Sequence, residues 1–132
     1  MKEIVYFGTY TRRISQGIYK ADFDTETGKL SNLELFATEP SPTYLAFDQN
    51  QHLYTVGSND DKGGIAAYKT DGVLLNHVVE EGAPHCYVAV DETRSLVYAA
   101  NYHKGQVLVY KRKEDGCLEL ADKVQHTGHG PH

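Results

Sequence analysis

The chain has 132 residues, a formal net charge of −5, 40% apolar and 23% charged residues, which sets the length of about one domain. This balance excludes a disordered chain, which needs low hydrophobicity and high net charge. It also excludes a helical membrane span, because no run approaches ~18 apolar residues, and a nucleic-acid binder, which would carry a basic face.

From the N-terminus, Met1-Lys2-Glu3 leads directly into Ile4-Val5-Tyr6-Phe7 with no apolar signal region. Cytoplasmic localisation is the expectation. Cys86 and Cys117 fit no CxxC pattern and read as free thiols serving as small core residues.

Helical periodicity is absent. Short runs of Val, Ile, Leu, Tyr and Phe alternate instead with turn residues: Ile4–Phe7, Tyr44–Phe47, Tyr87–Val90 and Val107–Tyr110. This pattern predicts strands and an all-β fold.

The strands repeat. Thr27-Gly28-Lys29-Leu30, Asp71-Gly72-Val73-Leu74 and Asp115-Gly116-Cys117-Leu118 share one pattern, their glycines separated by two successive intervals of 44 residues. The two Asp-Gly pairs suit a tight hairpin, since glycine accepts positive φ at no steric cost. Pro42-Thr43-Tyr44-Leu45-Ala46 recurs as Pro84-His85-Cys86-Tyr87-Val88-Ala89, and each copy precedes a further strand, at His52–Val56 and Leu96–Ala100. Four antiparallel strands in ~40–45 residues make a β-propeller blade. The expected division is an incomplete blade at 1–40 that lacks its inner strand, full blades at 41–82 and 83–126, and the lead-in to another blade at 127–132. Propellers close with 4–8 blades. Three blades therefore leave open apolar faces, through which self-association or continuation into a longer protein is expected.

Gly8-Thr9-Tyr10-Thr11, Gly17-Ile18-Tyr19, Thr27-Gly28-Lys29-Leu30, Pro42-Thr43-Tyr44-Leu45-Ala46, Ala99-Ala100-Asn101-Tyr102 with Lys104-Gly105, and Gly128-His129-Gly130-Pro131 resemble the seven-bladed propeller lactonases in order and spacing. The family includes bacterial-type 6-phosphogluconolactonases and is related to carboxymuconate cyclases. The resemblance implies the opening three of seven blades. It implies a parent protein that hydrolyses 6-phosphogluconolactone to 6-phosphogluconate in the pentose phosphate pathway, without a cofactor. It also places further catalytic residues after His132, so that these 132 residues alone are expected to be inactive. A carboxymuconate-type cyclase and a non-catalytic binding scaffold are the alternatives.

Lactone hydrolysis needs a base for water, a donor for the oxyanion and, for this substrate, cations for the phosphate. A propeller supplies such groups from loops before the inner strands and after the second strands. Those loops nominate His85, Asn101 and His129 as catalytic. His85 would be a base or oxyanion donor, and Asn101 would orient a hydroxyl or carbonyl. Tyr10, Arg12, Ser41, Tyr102 and Lys104 are the substrate-binding candidates, with Arg12, Arg13 and Lys104 as phosphate cations. His126, His129 and His132 match no zinc spacing, so no metal site is expected. Glu80-Glu81 and Asp60-Asp61 read as solvated surface. No GxSxG elbow or glycine-rich phosphate loop is present.

Overall fold

A computed structural model describes residues 2–82 and 84–125. The described residues form eleven strands and no helix. None forms a helix long and apolar enough to cross a membrane.

The first sheet contains β1 (Lys2–Phe7), β2 (Gly17–Asp24) and β3 (Lys29–Thr38), in that order. The second runs β4 (Leu45–Phe47), β5 (Leu53–Asn59), β6 (Lys62–Tyr68) and β7 (Leu74–Glu80). The third runs β8 (Tyr87–Asp91), β9 (Leu96–Asn101), β10 (Gln106–Arg112) and β11 (Leu118–Gln125). Every neighbouring pair is antiparallel. The repeated glycines lie in the hairpins before β3, β7 and β11, each with positive φ (73°, 87° and 93°).

Strand alternation explains why the middle sheet is buried on both sides. Successive residues of β5 and β6 face opposite neighbours. Tyr54, Val56, Ile65 and Ala67 pack with Val88, Val97, Leu108 and Tyr110 of the third sheet. Leu53, Ala66 and Tyr68 pack with Ile18 and Ala37 of the first. The three sheets therefore stack face to face in sequence order, as propeller blades do.

Polar ties reinforce these contacts. Arg112 on β10 reaches back to Asp48 beyond β4 at 3.1 Å and also pairs with Glu92 at 3.0 Å. The Asn76 carboxamide on β7 exchanges two hydrogen bonds with the backbone of Leu118 on β11, at 2.8 and 3.0 Å. Asp48 also accepts from Tyr54 at 3.0 Å. In the third sheet, Asp91 accepts from Tyr98 at 2.8 Å. An aspartate closing the inner strand and a tyrosine on the next strand thus recur in both four-stranded sheets.

Candidate functional site

Five loops meet at one end of the sheet stack. They join β1 to β2, β3 to β4, β5 to β6, β7 to β8 and β9 to β10. Between them lies an open cleft of about 440 Å³ whose lining includes Tyr10, Arg12, Ser41, Lys62, His85 and His103. The antiparallel topology puts the links between sheets at the same end as the hairpins after each second strand.

The walls are held by specific hydrogen bonds. Thr11 N–H donates to Ser41 Oγ at 3.1 Å, and Ser41 N–H donates to Thr11 Oγ1 at 3.0 Å. This reciprocal pair fixes the β1–β2 loop against the lead-in to β4. The guanidinium of Arg12 lies 4.9 Å from the centroid of the Tyr10 ring, an attractive cation–π placement. Among the described residues Arg12 has no carboxylate partner, whereas Lys62 is 3.8 Å from Glu81. Beneath the cleft, Ser58 N–H donates to Glu39 at 3.1 Å.

His85 is only 3% exposed, so it is not the solvated loop histidine its sequence position allows. Its Nε2 lies 2.8 Å from the Tyr110 hydroxyl and its Nδ1 lies 3.3 Å from Asn101 Nδ2. Burial pushes its pKa down from 6.5 to about 4, only partly opposed by the charge of Glu80. The imidazole is therefore neutral at pH 7. Burial and the charge of Glu80 together push the Tyr110 phenol up.

The family described as "Lactonase, 7-bladed beta-propeller" matches residues 4–132. The chain belongs to this family. An uncharacterized protein of Lactococcus lactis is 49% identical over 134 residues, which cover 99% of this chain and 39% of that protein. The 6-phosphogluconolactonase of Bacillus subtilis is 42% identical over 138 residues, covering 99% of this chain and 40% of that protein. The crystal structure of a Lactobacillus plantarum protein superimposes with a TM-score of 0.93 at 52% identity, over 100% of this chain and 40% of that one. The chain thus spans about two-fifths of the length of the relatives it matches.

Within these lactonase blades, Tyr10, Arg12, Ser41 and His85 come together around the cleft. Asn101 is fully buried behind His85. Tyr102 is exposed and edge-on to His103, with ring centroids 5.5 Å apart. Lys104 turns away from the cleft. Its ammonium pairs with Glu80 at 3.3 Å and donates to the Glu81 carbonyl. His129 lies outside the described residues, as do His126 and His132. No cluster of three or more His, Cys, Asp or Glu suited to a metal occurs among the described residues.

Two sequence expectations need correction. Cys86 and Cys117 form no disulfide but are only partly buried, and Cys86 lines the cleft because its place at the start of an inner strand puts it in a wall. Glu80 is not solvated surface: it joins Lys104 and Lys123. Burial would raise its carboxyl, but hydrogen bonds from Lys123 and Lys104 outweigh that and hold it below its ordinary value. Asp61 is exposed, as its sequence position implies, and lines the cleft with Lys62. The signal for both was available, since the Asn59–Gly63 turn follows a second strand just as Tyr102–Gly105 does.

Proposed function

We propose that the cleft is the part contributed by these three blades to a phosphosugar-lactone hydrolase, with 6-phosphogluconolactone as substrate and 6-phosphogluconate as product. The observation that carries this reading is the convergence of loops from all three blades on a polar cleft holding an arginine without a carboxylate partner, in a chain of the lactonase family. Arg12 offers a planar donor fork for a phosphate dianion, and Lys62 adds a second positive charge. Ser41 and Tyr10 line the same space, and their side chains suit the sugar hydroxyls. Water adds to the lactone carbonyl, the ring C–O bond breaks, and the acid is released. This chemistry needs no cofactor, and its phosphorylated substrate suits a cytoplasmic enzyme.

The test is hydrolysis of 6-phosphogluconolactone by the longer protein carrying these blades, corrected for spontaneous ring opening. Arg12→Ala should raise KM on the order of tenfold with a smaller change in kcat, as expected for lost binding of a remote group. Equal turnover of the unphosphorylated lactone, or an unchanged KM in the variant, would contradict the assignment. Turnover of a muconate lactone alone would favour the cyclase reading, and capture of a partner without turnover would favour the scaffold.

The isolated 132-residue chain is also proposed to self-associate. Ile14, Leu30 and Leu33 are 94%, 55% and 68% exposed and line an apolar hollow of about 540 Å³ on the first sheet. Light scattering after size exclusion should give a dimer or larger species. A monomer near 14.7 kDa that unfolds cooperatively would contradict this.

A further inference from the structure

The turn after β9 and the lead-in to β8 are joined by hydrogen bonds with one consistent donor order. Lys104 N–H donates to Asn101 Oδ1 at 3.0 Å. That contact directs the other end of the carboxamide, the NH2, to His85 Nδ1 at 3.3 Å. An amide NH2 only donates, so Nδ1 must be the bare nitrogen. The ring proton then sits on Nε2 and is donated to the Tyr110 oxygen 2.8 Å away. Turning the carboxamide over would set its NH2 against Lys104 N–H, donor against donor, in a place where Asn101 and His85 are both buried.

The far end of Lys104 completes the tie. Its ammonium bonds Glu80 and the Glu81 carbonyl, and Glu80 also takes Lys123 from β11. Gly82 leaves room for the lysine stem: a Cβ there would fall 2.4 Å from Lys104 Cε. Glu80, Glu81 and His85, at one wall of the cleft, are thereby fastened to Asn101 and Lys104.

We propose that His85 is a positioning residue, a neutral Nε2–H imidazole that Asn101 and Tyr110 use to pin the cleft wall to the third sheet, and not the base that activates water. A second proton on the ring would place N–H on Nδ1 against the Asn101 NH2. The carboxamide would have to turn, Lys104 N–H would lose its acceptor, and the tie through Asn101 would be lost. Among the described residues, Tyr110 and Asn101 hydrogen-bond the ring, and the charges of Glu80, Lys104 and Lys123 act on it from further away. The single negative charge among them, on Glu80, is already engaged by the two lysines. The proposal holds whatever ligand the cleft takes, so it and the lactone reading can fail separately.

Two-bond 1H–15N spectra of the intact 132-residue chain test it. At neutral pH, His85 should show a protonated Nε2 and a bare Nδ1, and acid should not protonate it until about pH 4. Asn101→Asp keeps an acceptor for Lys104 N–H but turns an acceptor toward Nδ1. It should move the ring proton to Nδ1 and raise the midpoint by about one unit or more. A purely structural role for Asn101 would leave the tautomer unchanged. A wild-type Nδ1–H tautomer, a wild-type midpoint near 6.5, or an Asn101→Asp ring spectrum identical to wild type would overturn the proposal. The wild-type spectrum decides even if the variant does not fold.

Discussion

Replacing Glu39 with alanine is expected to remove about 3–5 kcal/mol of folding stability, because it takes the acceptor from several donors at once, at roughly 1–3 kcal/mol for each one left buried and unsatisfied. Glu39 follows β3, is 1% exposed, and projects from the first sheet into the second. Its carboxylate accepts from the Tyr68 hydroxyl and from Ser58 N–H at 3.1 Å, and its Oε1 meets His77 Nε2 at 2.8 Å. Gly57 makes the space, since a Cβ there would fall 2.5 Å from Glu39 Oε2. Alanine would strand Ser58 N–H and His77 Nε2 between two blades and leave the Tyr68 hydroxyl only the Thr38 carbonyl, at 3.2 Å. Glu39→Gln keeps one carbonyl acceptor and should cost roughly half as much. Urea unfolding with an unchanged slope would measure both. A loss below ~1 kcal/mol for alanine would mean that water replaces the carboxylate at no great penalty and that the blades are held by apolar contact alone.

The second large effect is with pH. His85 has a folded-state pKa lowered from 6.5 to about 4. Above pH 6.5 the ring is neutral in both folded and unfolded chains and contributes no pH dependence. Between 6.5 and about 4 the unfolded chain takes a proton that the folded one refuses, so stability falls on acidification, by about 3 kcal/mol in total. Below that window both forms are protonated and the His85 contribution levels off.

Glu80 and Asp48 titrate in the same direction but lower. Burial opposes their ionisation, and hydrogen bonds outweigh it: those of Lys123 and Lys104 for Glu80, those of His52 and Tyr54 for Asp48. Their stabilisation is present above their ordinary values of 4.5 and 3.8 and is lost only as pH falls through the lower folded ones. The range from 6.5 down to 4.5 therefore lies above the losses at Glu80 and Asp48 and carries the His85 decline. Chemical denaturation at a series of pH values should show the decline there, and His85→Gln should flatten it. An equal decline in the variant would assign the effect to another group.

The strands and their grouping were legible because the period-two alternation and the recurring glycine turns are local. The glycines before β3, β7 and β11 mark the hairpins directly, and the lead-in prolines mark where one sheet passes to the next. What one blade does to another was not legible. The burial of His85 depends on Tyr110, 25 residues away, and on a carboxamide oriented by the Lys104 backbone. The sequence shows only a histidine in a loop. Lys104 looks like a free cation until its neighbours across the blade boundary are known. Glu39 had a faint signal, because a glutamate precedes the lead-in proline by three residues in both Glu39-Pro40-Ser41-Pro42 and Glu81-Gly82-Ala83-Pro84. Nothing in the chain order indicates that the first is buried under Tyr68 and His77 while Glu81 is exposed.

The most direct test of the proposed function is a titration of the 15N-labelled chain with 6-phosphogluconate, with gluconate as the phosphate-free control. Saturable shifts centred on Tyr10, Arg12, Ser41, Lys62 and His103, present with the phosphorylated acid and weak with gluconate, are the predicted result. Shifts confined to another surface, or equal shifts with both acids, would contradict the assignment of this cleft to a phosphosugar.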